Sequence, residues 1–418
     1  MFNKLKFWLK NPANSMWVLP TIGIIISIFS MFLTKIWAKF IKEPLFEIEI
    51  SLIDDLLSII ASSMLAVSTF SLSIMVSAFS SVSNSSTPRA TSLAMNDNTT
   101  RVAIASFISA FIYAIISKVA LGINFYEKNG VFLLFIVTLL VIIYLVIVLI
   151  RWVNTLAVLG RKSDTLDKIY NTTTKSLENY FLEPFFKCSF EKPKTKPNLI
   201  IKSNQTGYIT DIDFDALQSI AQKNSVSFYI LSRHGDFVVK YKDILEIYFD
   251  KDKKDFEKEQ IKKEILSNII IQSNRAFHDD PVFGMITLSE VAQTALSDAI
   301  NDQGTAIIVI NLILKIIIDT NKNSEKTPKF DRVGIVELDE SRFISQSFRP
   351  IVENGVSSSF VLKRALEALV ELYSSPLSDT IKNSVKKEAA SLIEYLKNAP
   401  IPDSKKDELK SIYSRNFN

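Results

Sequence analysis

The chain has 418 residues, 48% of them hydrophobic, with 48 Lys and Arg against 44 Asp and Glu, one Cys and ten Gly. Its mean hydropathy is +0.20. These figures exclude a disordered or low-complexity chain, a disulfide-stapled scaffold and a collagen-like repeat. Charge is unevenly placed. Positions 1–154 hold 11 basic and 7 acidic residues, about 12% of that stretch, whereas the other 264 positions hold 37 of each sign, about 28%. An apolar part therefore precedes a part of ordinary soluble composition.

Four runs lack any charge: 11–34, 56–88, 102–117 and 129–150. About 20 apolar residues cross roughly 30 Å of hydrocarbon, which predicts spans at about 16–34, 56–82, 102–123 and 130–151. The third is extended past Lys118, whose stem can snorkel; the second outlasts the bilayer. Trp8, Trp17, Trp37 and Trp152 lie at or beside the ends of the first and fourth runs, where indole rings favour the interface. Lys4, Lys6 and Lys10 before the first run would also suit a cleavable leader, but no small-x-small site follows and more spans do. About eight basic residues on the amino-terminal side face five on the other, which puts both termini inside. Cys188 is compatible with a reducing compartment.

The second run carries Ser58, Ser62, Thr69, Ser73, Ser77, Ser80 and Asn84 within about 100° of one another at 3.6 residues per turn. Met64, Val67, Ile74 and also Ser71 lie away from that stripe. Two readings stay open. Small hydroxyl residues allow close helix packing, or they line a wet path between subunits, with Ser62, Thr69, Ser73, Ser77 and Ser80 as the pore-lining candidates. No charge interrupts the span, so it holds no carboxylate relay. Thr87-Pro88-Arg89 closes the run, because proline cannot continue the hydrogen-bond ladder. Arg89, with Arg101 beyond it, either meets lipid phosphate or forms a basic pore mouth.

The remainder predicts a helical connector and loop over 156–200 and a soluble α+β domain over 201–418. A helix is expected over 164–181 and a loop over 191–198. Strands are expected at 207–212 and 226–231, with a helix capped by Asp213 between them. His234 falls at a turn and reads as exposed and inert. Positions 251–263 read as a solvated helix or loop. Asp280-Pro281 opens a helix, and Ser297 to Thr305 leads into 306–318, a helix apolar nearly all round and short for a span, read as the buried centre of the domain. Two strands are expected at 333–338 and 343–351, then amphipathic helices at 361–373 and 385–396.

His278, Asp279, Asp280, Asp298 and Asp302 form the one cluster with the chemistry for a hard or borderline divalent ion; His278, Asp280 and Asp302 are the weak metal candidates. Helix capping by Asp279 or Asp280 and by Asn301 or Asp302 is the competing reading, with Arg275 pairing one carboxylate. No phosphate-binding loop, dinucleotide fingerprint, paired-Cys motif or zincin helix occurs. No nucleophile–base pair stands out, so nothing marks an enzyme and no cofactor is expected. The balance of charge in the soluble part argues against nucleic acid.

Ser86-Thr87-Pro88-Arg89 after a Ser-rich span, Gly207-Tyr208-Ile209 through Asp213 and Leu217, and Gly235-Asp236-Phe237-Val238 resemble the DUF2254 family of predicted bacterial membrane proteins. So does Asp280-Pro281-Val282-Phe283-Gly284 through Ser297 to Asn301-Asp302 and Thr305-Ala306. Asp298 and Gln303 stand where that pattern has proline. The resemblance implies a four-span bundle in a bacterial inner membrane and a cytoplasmic C-terminal domain, with Asp280, Ser297, Asn301, Asp302 and Thr305 as its structural motif; it implies no substrate. Two functions fit: an oligomeric channel or small-solute transporter whose soluble domain assembles or gates it, and a membrane-anchored sensor or scaffold. The partners expected are the lipid bilayer, further copies of the chain, and an ion or small solute.

Overall fold

The structure is a computed structural model that describes 48–85, 87–94, 98–156, 161–250, 255–321 and 328–417, and parts of 21–37. The span expected at 16–34 lies largely outside the described residues, as do Trp8, Trp17 and the side chain of Asn84; the described positions of 21–37 are helical. The chain divides into two compact units, Met1–Thr165 and Leu166–Asn418.

The first unit contains helices α1 (Ile50–Ser85), α2 (Pro88–Ala94), α3 (Asn98–Gly122) and α4 (Lys128–Leu156). Helices α1, α3 and α4 are long and apolar enough to cross a membrane. Their shared core holds Ile53, Leu57 and Ile60 of α1, Phe107 and Tyr113 of α3, and Leu134, Leu145 and Trp152 of α4. The opposite faces expose Ile59, Phe70, Val76, Leu140, Ile143 and Ile150, more apolar surface than a soluble bundle presents to water. Two pairs of polar side chains meet across helices: Tyr113 Oη lies 3.0 Å from Thr138 Oγ1, and Ser106 Oγ 2.7 Å from Tyr144 Oη. Helix α1 begins before its charge-free run, so Asp54 sits in its first turns and receives Lys118 Nζ of α3 at 3.1 Å. Lys118 also donates to Ser58 Oγ at 2.6 Å. Its expected snorkelling is replaced by a specific pair. Trp152 is another correction: only 3% exposed, its ring meets Phe107 and Phe70 edge-on, inside the bundle rather than in an interfacial belt.

The second unit takes in almost all of α5 (Lys162–Leu182), then β1 (Leu199–Lys202), β2 (Gly207–Ile212), α6 (Phe214–Asn224), β3 (Val226–Ile230), β4 (Phe237–Val238), β5 (Asp243–Phe249), α7 (Asp255–Leu266) and β6 (Ile269–Gln272). It continues with α8 (Pro281–Ala295), α9 (Gln303–Thr320), β7 (Val333–Ile335), α10 (Ser341–Asn354), α11 (Ser359–Ser374), α12 (Asp379–Tyr395) and α13 (Asp403–Phe417). One sheet has the order β1-β5-β3-β7, antiparallel except for the parallel pair β3–β7; the other, β4-β2-β6, is antiparallel. The architecture is thus a helical membrane part followed by an α+β unit. Helix α5, expected as a connector, buries Ile169 and Leu177 and stacks Tyr180 and Phe181 against Phe343 of α10.

The expected strand at 343–351 is a helix. Phe343, Ile344, Ser347, Phe348, Ile351 and Val352 of α10 are buried, an i, i+4, i+8 stripe that only a helix puts on one face. Helix α9 is 18 residues long, enough by length and apolarity to cross a membrane, yet Val309, Ile310, Ile313, Ile316 and Ile317 are fully buried among α8, α11 and neighbouring helices of its own unit. One face is thus interior, as expected of that stretch, while Ile308 and Ile318 on the other are 51% and 40% exposed. Helix α13 had no counterpart in the sequence reading, because its polar composition leaves only Leu409 and Phe417 buried.

Candidate functional site

Two regions hold the residues singled out by the sequence. On α1, Ser62, Thr69, Ser73, Ser77 and Ser80 are all exposed. Intrachain packing falls to the other side, where Ile53, Leu57, Ile60, Ser68, Ser71 and Met75 are buried. The serines that serve close packing are thus Ser68 and Ser71, outside the stripe. Within the stripe, Ser62 Oγ donates to Ser58 O at 2.8 Å, Thr69 Oγ1 to Ala66 O at 2.9 Å and Ser73 Oγ to Thr69 O at 3.1 Å. Each such hydroxyl spends its proton on its own helix and turns its lone pairs outward. The Thr87-Pro88 step starts a new helix: Ala90 N donates to Thr87 Oγ1 at 3.3 Å and Pro88 takes the first position, where its missing N–H costs nothing. Arg89 is exposed on α2 and Arg101 half-buried on α3.

In the second unit the aspartate motif resolves into caps. Asp280 Oδ1 accepts from Phe283 N at 3.1 Å at the start of α8. Asp302 Oδ1 accepts from Thr305 N at 3.0 Å and Asp302 Oδ2 from Thr305 Oγ1 at 2.7 Å at the start of α9. Ser297 Oγ donates to Thr294 O at 2.7 Å, and Asn301 adopts a left-handed conformation, φ 48°, which asparagine tolerates. Gln303, where the family pattern has proline, is the first residue of α9, a position that accepts either; its Oε1 receives Ser358 Oγ at 2.8 Å. Asp298 is exposed. His278 Nδ1 pairs with Asp279 Oδ2 at 2.8 Å. Among the described residues no three His, Cys, Asp or Glu side chains converge to hold a metal ion, so His278, Asp280 and Asp302 do not come together.

The β3–β4 connection, Arg233-His234-Gly235-Asp236, folds against the Asp280 cap; the sequence singles out His234, the Gly235-Asp236 motif and an Arg275–carboxylate pair separately, and the structure brings them together. Arg275 Nη2 reaches Asp280 Oδ1 at 2.9 Å and its Nε reaches Oδ2, a two-pronged pair with side-chain exposures of 13% and 2%. Burial pushes the Asp280 carboxyl above its ordinary pKa, opposed by Arg275. Gly235 has φ +83°, and a Cβ there would lie 1.9 Å from Asp280 Oδ2; only glycine permits this approach. Arg233, buried, donates to Val336 O at 2.6 Å and Pro184 O at 2.8 Å, and its backbone N donates to Asp236 Oδ2 at 2.9 Å.

His234 corrects the expectation of an exposed, inert residue. It is 6% exposed, with its ring 4.9 Å from that of Phe186 and 6.1 Å from that of Phe214. Among the described residues, neither ring nitrogen has a hydrogen-bond partner. Burial lowers its pKa to about 4, with Asp279 and Asp236 opposing and Arg233 and His278 reinforcing that shift, so the imidazole is neutral near pH 7. Burial likewise pushes the Cys188 thiol up to about 12, which removes the thiolate a nucleophile needs.

Spans with outward apolar faces, joined to an α+β unit built on capped helices, define an integral membrane protein. The chain belongs to the DUF2254 family, described as predicted membrane protein, whose model matches residues 13–371. Comparison with curated proteins and with solved structures gives no match.

Proposed function

We propose that the protein is an oligomeric channel or small-solute transporter of a bacterial inner membrane, with both termini cytoplasmic and a second unit that assembles or gates the path. One observation carries this reading: Ser62, Thr69, Ser73, Ser77 and Ser80 are exposed on the single chain while the opposite face of α1 does the packing. Several copies that bring these faces together form a wall of hydroxyl oxygens without fixed charge, which sorts solutes by size and hydration rather than by sign. The test is flux into liposomes containing the purified protein. Ser73→Leu with Ser77→Leu abolishes flux if the stripe lines the path; undiminished flux removes the stripe from it.

A second reading, a membrane-anchored sensor or scaffold, is favoured by a groove of about 480 Å³ between α10 and α12, lined by Ser345, Arg349, Asn383, Lys387 and Glu388 among others. Such a groove suits a polar ligand. In that case Ser73→Cys, placed in a Cys188→Ser background, resists a water-soluble thiol reagent in liposomes, and the protein runs as a dimer.

A further inference from the structure

The connection that follows β4 shows three large side chains at alternate positions. Phe237 is 51% exposed, Val239 51% and Tyr241 68%, while Val238 between them is fully buried. The segment is held in shape. Tyr241 N donates to Ser203 O at 2.9 Å, Lys242 N to Val239 O at 3.0 Å, and Ser203 N to Lys242 O at 2.8 Å; Lys240 N donates to Thr206 Oγ1 at 2.9 Å. Tyr241 has φ 75°, unusual for a bulky side chain. Tyr208 braces Phe237 edge-on at 5.0 Å between ring centroids. Basic charge surrounds these residues. Lys240 Nζ lies 5.1 Å from the Tyr241 ring centroid and Lys242 is exposed; Lys202, also exposed, is offset by Asp243, its ion-pair partner at 3.8 Å, so Lys240 and Lys242 supply the net positive charge.

We infer that Phe237, Val239 and Tyr241, with Lys240, Lys242 and Lys202 around them, form a docking surface for an anionic lipid bilayer. Three observations select that occupant. The charge is complementary: lysines beside aromatic and aliphatic side chains are what a headgroup region accepts, the ammonium groups at the phosphates and the rings at their level. The surface is small. A stable protein interface buries about 800 Å² per partner, more than one short turn of chain offers, whereas a bilayer contact needs only a few inserted side chains. The partner is also always at hand, because spans in the same chain keep the unit beside a membrane and raise the effective concentration of lipid, so a weak contact suffices.

The test uses the full-length protein with Cys188→Ser and Val239→Cys carrying an environment-sensitive fluorophore. It is reconstituted into liposomes of phosphatidylcholine alone or mixed with phosphatidylglycerol, with brominated acyl chains as quencher. Quenching is expected in the mixed liposomes, weaker quenching in phosphatidylcholine, and none for a probe at Asp403→Cys on α13. Lys240→Gln and Lys242→Gln each reduce the docked population about fivefold, and added salt does the same. Both lysines are exposed, so these variants keep the fold. A probe at 239 that stays unquenched in phosphatidylglycerol overturns the inference. Quenching indifferent to lipid charge and to both lysine variants overturns it too. Efficient disulfide formation between two copies through unlabelled Val239→Cys, without quenching, would reassign the surface to a second copy of the chain.

Discussion

In the first unit, α4 turns Leu139, Leu140, Ile143, Val146, Ile147 and Ile150 outward, each 45–61% exposed. In the second, α9 is also long and apolar enough to cross a membrane, and it buries Val309, Ile310, Ile313, Ile316 and Ile317 completely. The difference lies in the neighbours. Helices α8 and α11 cover one face of α9 and take the place of lipid there. The ion pairs differ too: Lys118–Asp54 of the first unit is half exposed, while the second encloses Arg275–Asp280, with side chains 13% and 2% exposed, and a neutral histidine nearby. Apolarity of a helix therefore says that water is absent around it, not which apolar medium replaces water.

The largest effect separating the units is expected from Arg275→Ala. It leaves the 2%-exposed Asp280 carboxylate without its countercharge, and breaking a buried pair from one side costs about 3–5 kcal/mol. Urea unfolding in detergent, followed by the fluorescence of a probe in the second unit, measures it. A loss below about 1 kcal/mol would show that the cap alone satisfies Asp280.

Truncating the two apolar helices comes next. Ile313→Ala in α9 opens a cavity in a packed interior and is expected to cost about 2–5 kcal/mol. Ile147→Ala in α4, a residue 47% exposed, leaves no cavity and is expected to change stability by less than about 0.5 kcal/mol. Equal losses in the two thermal melts would erase the contrast between a protein interior and a lipid-facing surface.

His234 gives the second unit a pH dependence. Its pKa falls from 6.5 to about 4 on folding, so between those values the unfolded chain binds the proton and the folded chain does not. Stability is fully present above pH 6.5 and declines as the pH drops toward 4, by up to about 3 kcal/mol. His234→Leu should flatten the stability–pH curve over that window. A variant curve parallel to that of the parent protein would place the acid sensitivity elsewhere; the buried acids Asp280 and Glu388 do not account for it, because their raised pKa values favour the folded state as the pH falls.

These same residues show what the sequence made legible. The cap at Asp213 was readable, and those at Asp280 and Asp302 to within one residue, because a capping side chain acts on amides only three residues ahead. Strands 207–212 and 226–230 were readable from local composition. His234 was not, because Phe186 and Phe214, which bury it, lie 48 and 20 residues away in the chain. Helix α10 reads locally as a strand because its phenylalanines and isoleucines suit a sheet, while its burial period emerges only over ten residues. The α1 stripe was legible as an angular cluster. Its outward direction was not, since that depends on which face of α1 meets α3.

The smallest effect tests the ion pair of the first unit. Lys118 and Asp54 lie 3.1 Å apart, yet both side chains remain 42% exposed, unlike Arg275 and Asp280. A half-exposed pair contributes about 0–1 kcal/mol, and Lys118 keeps Ser58 Oγ as a partner. Asp54→Asn is therefore expected to lower stability by no more than about 1 kcal/mol in a thermal melt in detergent. If these residues sit at the membrane surface, the loss shrinks further as salt is raised. A loss as large as that of Arg275→Ala, insensitive to salt, would mean that lipid closes over the pair and that the first unit begins its apolar environment at Asp54 rather than after Asp55.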